Sequence, residues 1–318
     1  MDHHYIPQFY LRPWLGADHK LQEFRRGYQG RIQTGRYGTK STGFEIDLYT
    51  LPGVTEATKQ NVEKVYMGLV DGNAAVVRDM LLDGRIPHDQ GLRHTWVRFI
   101  LSLILRHPEA VAKFKQRYAR DFGKSDARLQ EKYESLRREH DPPTLEEFVL
   151  QLDPTVAERQ AVLTLTKLIE NERTTTLMRR MHWAVLDTSR YSRKLMTSDR
   201  PLVTTNGLGR PDGHMALAIA PNRLFLATTF KSYMDTVQRK PIGRMIRNMN
   251  DAVIGQGRKY VYATDATPIA EVRRRMGKRD YLTLLPEPDA DIPYPPGWLT
   301  EQPVPQRVSA SGAVTSSE

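Results

Sequence analysis

Apolar positions fall into three successive patterns along the chain. Residues 15–55 alternate over short stretches: Lys20-Leu-Gln-Glu-Phe24 reads as a strand, Gly27 to Gly30 as a turn, and Arg31-Ile-Gln-Thr34 as the returning strand. The stretch from Arg36 to Thr50 sets Lys40, Glu45, Asp47 and Tyr49 among glycines, as in a loop beside a functional region. From Glu56 to about Arg180 the period lengthens to that of a helix. Val62, Val65, Tyr66, Leu69 and Val70 recur at helical spacing, and Val76, Val77, Met80 and Leu81 continue the stripe until Pro87. Trp96 to His107 is apolar on nearly every face, which predicts a central buried helix, and Pro108 stops or kinks it. Residues 111–140 interleave lysines and arginines with acids, the pattern of a solvated helical hairpin. Asp141-Pro-Pro-Thr144 gives a turn and an N-cap before a helix over Leu145 to Leu152, and one long helix from about Thr155 to Met181 closes the block.

At His182 the pattern turns to short β-like runs separated by Gly, Pro and Asn: Trp183 to Leu186, Leu195 to Thr197, Leu202 to Thr205, Met215 to Ile219 and Leu224 to Thr228. A helix around Pro241 to Ile254, a strand over Lys259 to Ala263 and a short helix over Thr267 to Met276 follow. The fold class expected is α+β, with a helical middle packed between N-terminal β elements and a C-terminal β-rich half. Residues 1–285 form one domain in this reading, and 286–318, rich in Pro, Ser and Gly, form a disordered tail that only Trp298 could dock.

The opening fourteen residues, MDHHYIPQFYLRPW, do not look like a fraying terminus. Their aromatic and hydrogen-bonding side chains predict a segment docked into the body of the fold, with Trp14 and the tyrosines as core anchors. Composition narrows the chemistry. The chain has 318 residues, is 39% hydrophobic and has no cysteine, so disulfides and thiolate chemistry are excluded and any metal must be held by His, carboxylates or amides. The longest apolar run, Phe99 to Leu105, is far short of the ~20 residues needed to cross a bilayer, and no signal peptide is visible, so a cytoplasmic protein without a membrane partner is expected. A net charge of +10 attracts polyanions, which makes nucleic acid a candidate partner.

Motifs of the common chemistries are absent: there is no P-loop, G-x-G-x-x-G, H-E-x-x-H or G-x-S-x-G. What remains is polar residues in unusual places. His3 and His4 are adjacent, Asp199 follows a β run in the turn Thr197-Ser-Asp-Arg-Pro201, and Asn248 and Asn250 interrupt a helix in which Asn has poor propensity. The segment HHYIPQFYLRPW, then Lys40, Glu45 and Leu48-Tyr49, the Val62-Glu63-Lys64 helix, Thr197-Ser-Asp199-x-Pro201 and Asn250 with Val261-Tyr262 occur in an order that resembles the bacterial family named domain of unknown function 4238, over roughly residues 3 to 265. The resemblance implies that His3, His4, Gln8, Glu45, Asp199 and an Asn near position 250 are recurring polar positions. Arg200 departs from the pattern, which often carries Asn before the proline.

Imidazoles, carboxylates and an amide are the ingredients of a metal-assisted phosphodiesterase or nuclease. In that reading His4, Glu45 and Asp199 bind a divalent ion, Mg or Mn. Lys40 stabilises transition-state charge, and His3, Gln8 and Asn250 complete the catalytic set. Arg244, Arg247, Arg258, Lys259, Arg273, Arg274 and Arg275 form the surface that holds nucleic acid, and the expected setting is bacterial defence or a toxin. Two alternatives stand beside it: a nucleic-acid-binding or sensor protein without catalysis, and a small-molecule or nucleotide hydrolase using His4 and Asp199 as acid and base without a metal. Each polar residue also has a structural reading, Asp199 bonding its own turn and Glu45 pairing with Arg12 or Lys40.

Overall fold

A computed structural model describes residues 1–122, 127–205 and 207–281 of the chain. The tail expected over 286–318, with Trp298, lies outside the described residues. Strand β1 (Asp2–His4) leads into a single helical turn, α1 (Gln8–Leu11), and then the hairpin β2 (Leu21–Arg26) and β3 (Ile32–Tyr37) and the short β4 (Phe44–Ile46). A π-helical segment, Val62–Met67, runs directly into α2 (Gly68–Leu82), followed by α3 (Gln90–Leu105), α4 (Pro108–Asp121), α5 (Ala127–Leu136), α6 (Leu145–Leu152), α7 (Val156–Ile169) and α8 (Glu172–Arg180). The last part holds β5 (His182–Asp187), β6 (Thr197–Ser198), β7 (Leu202–Thr205), β8 (His214–Ala220) and β9 (Arg223–Thr228). After these come α9 (Lys231–Gln238), α10 (Ile242–Gln256), β10 (Tyr260–Ala263) and α11 (Ile269–Arg275). The protein is α+β, as the patterning predicts.

Among the described residues three antiparallel sheets organise the strands: β1 with β4, then β3-β2-β10-β6, then β5-β9-β8-β7. The second joins residues 21–37 to residues 197–263, so the N-terminal hairpin and the C-terminal half share one sheet. Helix α3 is the centre of the core, as its all-round apolar sequence predicts; every residue from Thr95 to Leu105 is buried. Trp96 packs on Phe99 and on Phe225 of β9, and Phe9 and Tyr10 also pack on Phe99. Each such ring, taken out of water, stabilises the fold by about 1.5–3 kcal/mol. Charge is buried in this block only with partners: Arg98 and the Tyr66 hydroxyl both bond Glu170, at 2.7 Å each. Burial pushes the Glu170 carboxyl up, but bonds from His94, Arg98 and Tyr66 outweigh it and hold the carboxyl below its usual range.

Three elements differ from the sequence reading. The long helix over 155–181 is two helices, α7 and α8, because Asn171 accepts from Thr174 N–H at 3.0 Å and starts a new N-terminus. Pro108 does not merely end α3; it occupies the first turn of α4, whose N-cap is His107. Helix α9 is an addition, carried by the apolar pair Met234 and Val237 within an otherwise polar segment.

The N-terminal segment is docked. Ile6 N–H bonds Gly43 carbonyl at 3.0 Å, Trp14 Nε1 donates to Leu195 carbonyl at 3.0 Å, and the Tyr10 hydroxyl lies 2.7 Å from both Thr197 Oγ1 and Ala218 carbonyl. Thr197 is on β6 and Ala218 on β8, so one hydroxyl ties two sheets together. Tyr10→Phe keeps the ring and leaves a buried carbonyl and hydroxyl short of a partner. It should lower the unfolding free energy by about 1–2 kcal/mol in urea denaturation, with an unchanged m-value.

Candidate active site

The two adjacent histidines point to opposite sides of β1, as successive residues of a strand must. His3 is fully buried. Its Nδ1 accepts from Tyr49 N–H at 2.9 Å, so the proton sits on Nε2, which donates to Gln60 Oε1 at 2.5 Å, and the ring stacks on Tyr49 with centroids 5.5 Å apart. Burial pushes its pKa down, against the pull of the Gln60 bond. This is a neutral imidazole holding a loop.

His4 faces the start of the helical block. Its backbone N–H donates to Glu63 Oε1 at 3.2 Å, and its ring packs against Phe44. Nε2 of His4 and Oε2 of Glu63 are both buried and have no hydrogen-bond partner within the protein. Glu63 is presented by the π-helical segment, a form of helix that recurs at functional sites because its wider turn displaces side chains from the regular stripe. Below it lies Asp71 of α2, 24% exposed, paired at 2.8 Å with the fully buried Arg106 at the end of α3. Arg106 donates to both Asp71 oxygens, at 2.8 and 3.2 Å, while its Nε lacks a partner, and its carbonyl accepts from the Tyr49 hydroxyl at 2.6 Å.

The electrostatics of this cluster are unusual. Burial raises the Glu63 carboxyl to about 7, with the Asp71 charge adding to the rise and Arg106 and the His4 N–H opposing it. Burial lowers His4 in the opposite direction, against the carbonyls of Lys40 and Thr39 and the charges of Asp2 and Asp71. Asp71 is raised by burial in spite of Arg106. Near neutral pH the acid therefore keeps much of its proton while the imidazole is a free base, and environments that drive such groups apart are how folds assign acid and base roles.

The other expected site residues lie elsewhere. Glu45, on β4 opposite His3, reaches Lys259 at 3.2 Å on the surface. Asp199 is buried and accepts from the backbone N–H groups of Arg258, Lys259 and Tyr260 at 2.9, 2.6 and 3.2 Å, with His107 Nε2 at 3.8 Å. Burial pushes this carboxyl up, but His107 and those N–H groups outweigh it and hold it below its usual range. Asn250 is a clamp: its Nδ2 donates to Lys194 carbonyl and its Oδ1 accepts from Met196 N–H, both at 2.9 Å. Gln8 is half-buried at the start of α1, and Lys40 is exposed with its carbonyl toward the His4 ring. Arg200, where the pattern departs, pairs with Glu109 and lies over the Tyr281 ring at 4.4 Å.

The set expected to hold a metal ion is not gathered in one place: Glu45 pairs with Lys259 and Asp199 with three backbone N–H groups, while His4 Nε2 has no partner, and among the described residues no group of three or more His, Asp or Glu side chains is arranged to hold an ion. Of the arginines expected on nucleic acid, Arg244, Arg247, Arg273 and Arg274 are exposed, while Arg275 pairs with Asp251 at 2.6 Å and Arg258 donates to Gly277 carbonyl at 3.0 Å. Sequence reasoning passed over Asp71 and Arg106 and took Glu63 only as part of a helix. Arg106 was detectable, since a cation that closes the apolar run Phe99 to Leu105 needs a partner if it is buried.

Fold and site together define an α+β protein with a buried histidine–carboxylate cluster between its N-terminal strand and its helical block. The chain belongs to the family described as Protein of unknown function (DUF4238), whose model matches residues 2–267. No curated protein and no solved structure matches it. Among the described residues no helix is long and apolar enough to cross a membrane.

Because the folded-state pKa of Glu63 lies above its ordinary value of 4.5, its ionisation destabilises the fold progressively from about pH 4.5 to 7. Glu63→Gln removes that penalty. The variant should exceed the parent in unfolding free energy by about 2 kcal/mol at pH 8 and by much less at pH 5; an equal difference at both pH values would contradict the raised carboxyl.

Proposed function

We propose that this chain is a hydrolase of small phosphate esters, nucleotides among them, with His4 as general base and Glu63 as general acid. The observation that carries this reading is the presence in one cluster of two buried reactive atoms, His4 Nε2 and Glu63 Oε2, each without a partner in the protein. Buried polar atoms are normally satisfied, and a catalytic role is one of the reasons for an exception, beside strain and a bound water or ion. The opposed shifts of the two groups support the same roles.

In the step proposed, a water molecule gives a proton to Nε2 of His4 as its oxygen bonds to phosphorus. The bond from phosphorus to the leaving oxygen breaks, and that oxygen takes the proton of Glu63, releasing an alcohol and phosphate. Proton exchange with solvent restores the neutral His4 and the protonated Glu63. Lys40, exposed and with its backbone carbonyl toward the His4 ring, is the cation assigned in this reading to the phosphoryl oxygens. Burial of the two reactive atoms favours a small substrate over a polymer.

The test is turnover of a panel containing mononucleotides, p-nitrophenyl phosphate, bis-p-nitrophenyl phosphate, RNA and DNA, with EDTA or with Mg²⁺ or Mn²⁺. Turnover of a small ester in EDTA is expected, with a bell-shaped pH profile whose upper limb falls near pH 7, where Glu63 loses its proton. Glu63→Gln and His4→Asn, each checked for folding by circular dichroism, should lower kcat by about 10²–10⁴. Cleavage of DNA or RNA that requires the metal and survives both substitutions would overturn this reading in favour of a metal-assisted nuclease.

A further inference from the structure

A second feature stands apart from the His4 cluster, at the turn after α11. The run from Arg273 to Arg279, RRRMGKR, holds five cations and no acid. Its Gly277 has φ of +75°, and a Cβ there would come within 2.2 Å of Arg26 Nη1, so the guanidinium of the β2 end is pressed against this turn. The same guanidinium lies beside Gly30 in the β2–β3 hairpin, with Nε 3.7 Å from the position of a Gly30 Cβ. Arg258 reaches Gly277 carbonyl from a third direction, and the stem of Arg279 packs on Gly255. Arg26, Lys278 and Arg279 are exposed and make no ion pair among the described residues.

Beside these cations stands Tyr28, at the tip of the hairpin and 87% exposed. A tyrosine this free of packing gains nothing for the fold. Within residues 26–31 and 273–281 Tyr28 is the exposed large hydrophobic side chain, and the charged residues there are cationic apart from Asp280. Cations that follow a phosphate backbone, with an aromatic face on which a base can stack, are the two components of sequence-tolerant recognition of single strands. A lipid surface would call for several apolar side chains at this position, and an acidic peptide gives a free ring nothing to stack on.

We infer that this surface binds single-stranded nucleic acid, with backbone phosphates on Arg26, Arg258, Lys278 and Arg279 and a base stacked on Tyr28. It does not rest on the hydrolase reading, because binding is measured without turnover. The experiment is fluorescence anisotropy of labelled 20-nucleotide single strands, RNA and DNA, over a series of salt concentrations. Tyr28→Ala should weaken binding roughly tenfold. The pair Arg26→Ala and Arg279→Ala should reduce the slope of log K against log salt by about one to two. A control of equal charge loss, Arg173→Ala with Arg180→Ala on the exposed side of α8, should leave both nearly unchanged. Equal weakening by the control pair would reduce the effect to net charge and overturn the site. So would absence of strand binding, or a preference for phosphatidylserine vesicles unaffected by Tyr28→Ala.

Discussion

The N-terminal segment is the seam on which the molecule closes. Tyr10 and Trp14 are fully buried, and their polar ends are satisfied by β6, β8 and Leu195, two residues before β6. A buried hydroxyl or indole N–H without a partner would cost about 1–3 kcal/mol, so the ring and its partner have to be placed together. That requirement fixes the segment against both larger sheets. It also fixes what precedes it: β1 pairs with β4, and the strand alternation then sends His3 toward Tyr49 and His4 toward Glu63. The position of the candidate site is thus a consequence of how the aromatic anchors are satisfied.

The same alternation explains why two identical neighbouring side chains have different fates. Both nitrogens of His3 are used, one accepting and one donating, and one face of the ring is stacked on Tyr49. His4 is only half-buried, yet its Nε2 is without a partner. A histidine committed on both nitrogens is architecture; one with a free nitrogen beside a proton-retaining carboxyl has the chemistry of a catalyst.

Much of the fold was legible because the physics was local. The β2–β3 hairpin follows from alternation around a glycine turn, α3 from an apolar run too long to be a strand, and α6 from Thr144 and Glu147, which form a capping box. The division of 155–181 was less visible, because Asn171 looks like any polar residue of a helix until its side chain caps the next one. The site was legible only in part. His4 stood out by position, but Glu63, Asp71 and Arg106 sit inside helical patterns where charge normally means solvent, and their burial depends on how α2 and α3 cross. Asp199 and Asn250 were conspicuous for the right reason, an unusual local context, yet that context is met by backbone groups fully paired to them.

A comparison of the buried carboxylates separates structural from chemical use. Asp199 and Glu170 lose water and are compensated, the first by three backbone N–H groups and the second by Arg98, His94 and Tyr66, so both remain below the usual range. Glu23 is buried with the Thr42 hydroxyl and Arg25, and burial still raises it. Its oxygens nevertheless have partners in the β2–β3 sheet and in Tyr262 through Thr42. Glu63 receives only one N–H, from His4, and its nearest cation is already committed to Asp71. Of these four it is the one with a buried oxygen left without a partner. Arg106 would neutralise it if Asp71 were absent, so Asp71 acts as a competitor that keeps Glu63 protonated near neutral pH, and with it the difference between a salt bridge and an acid.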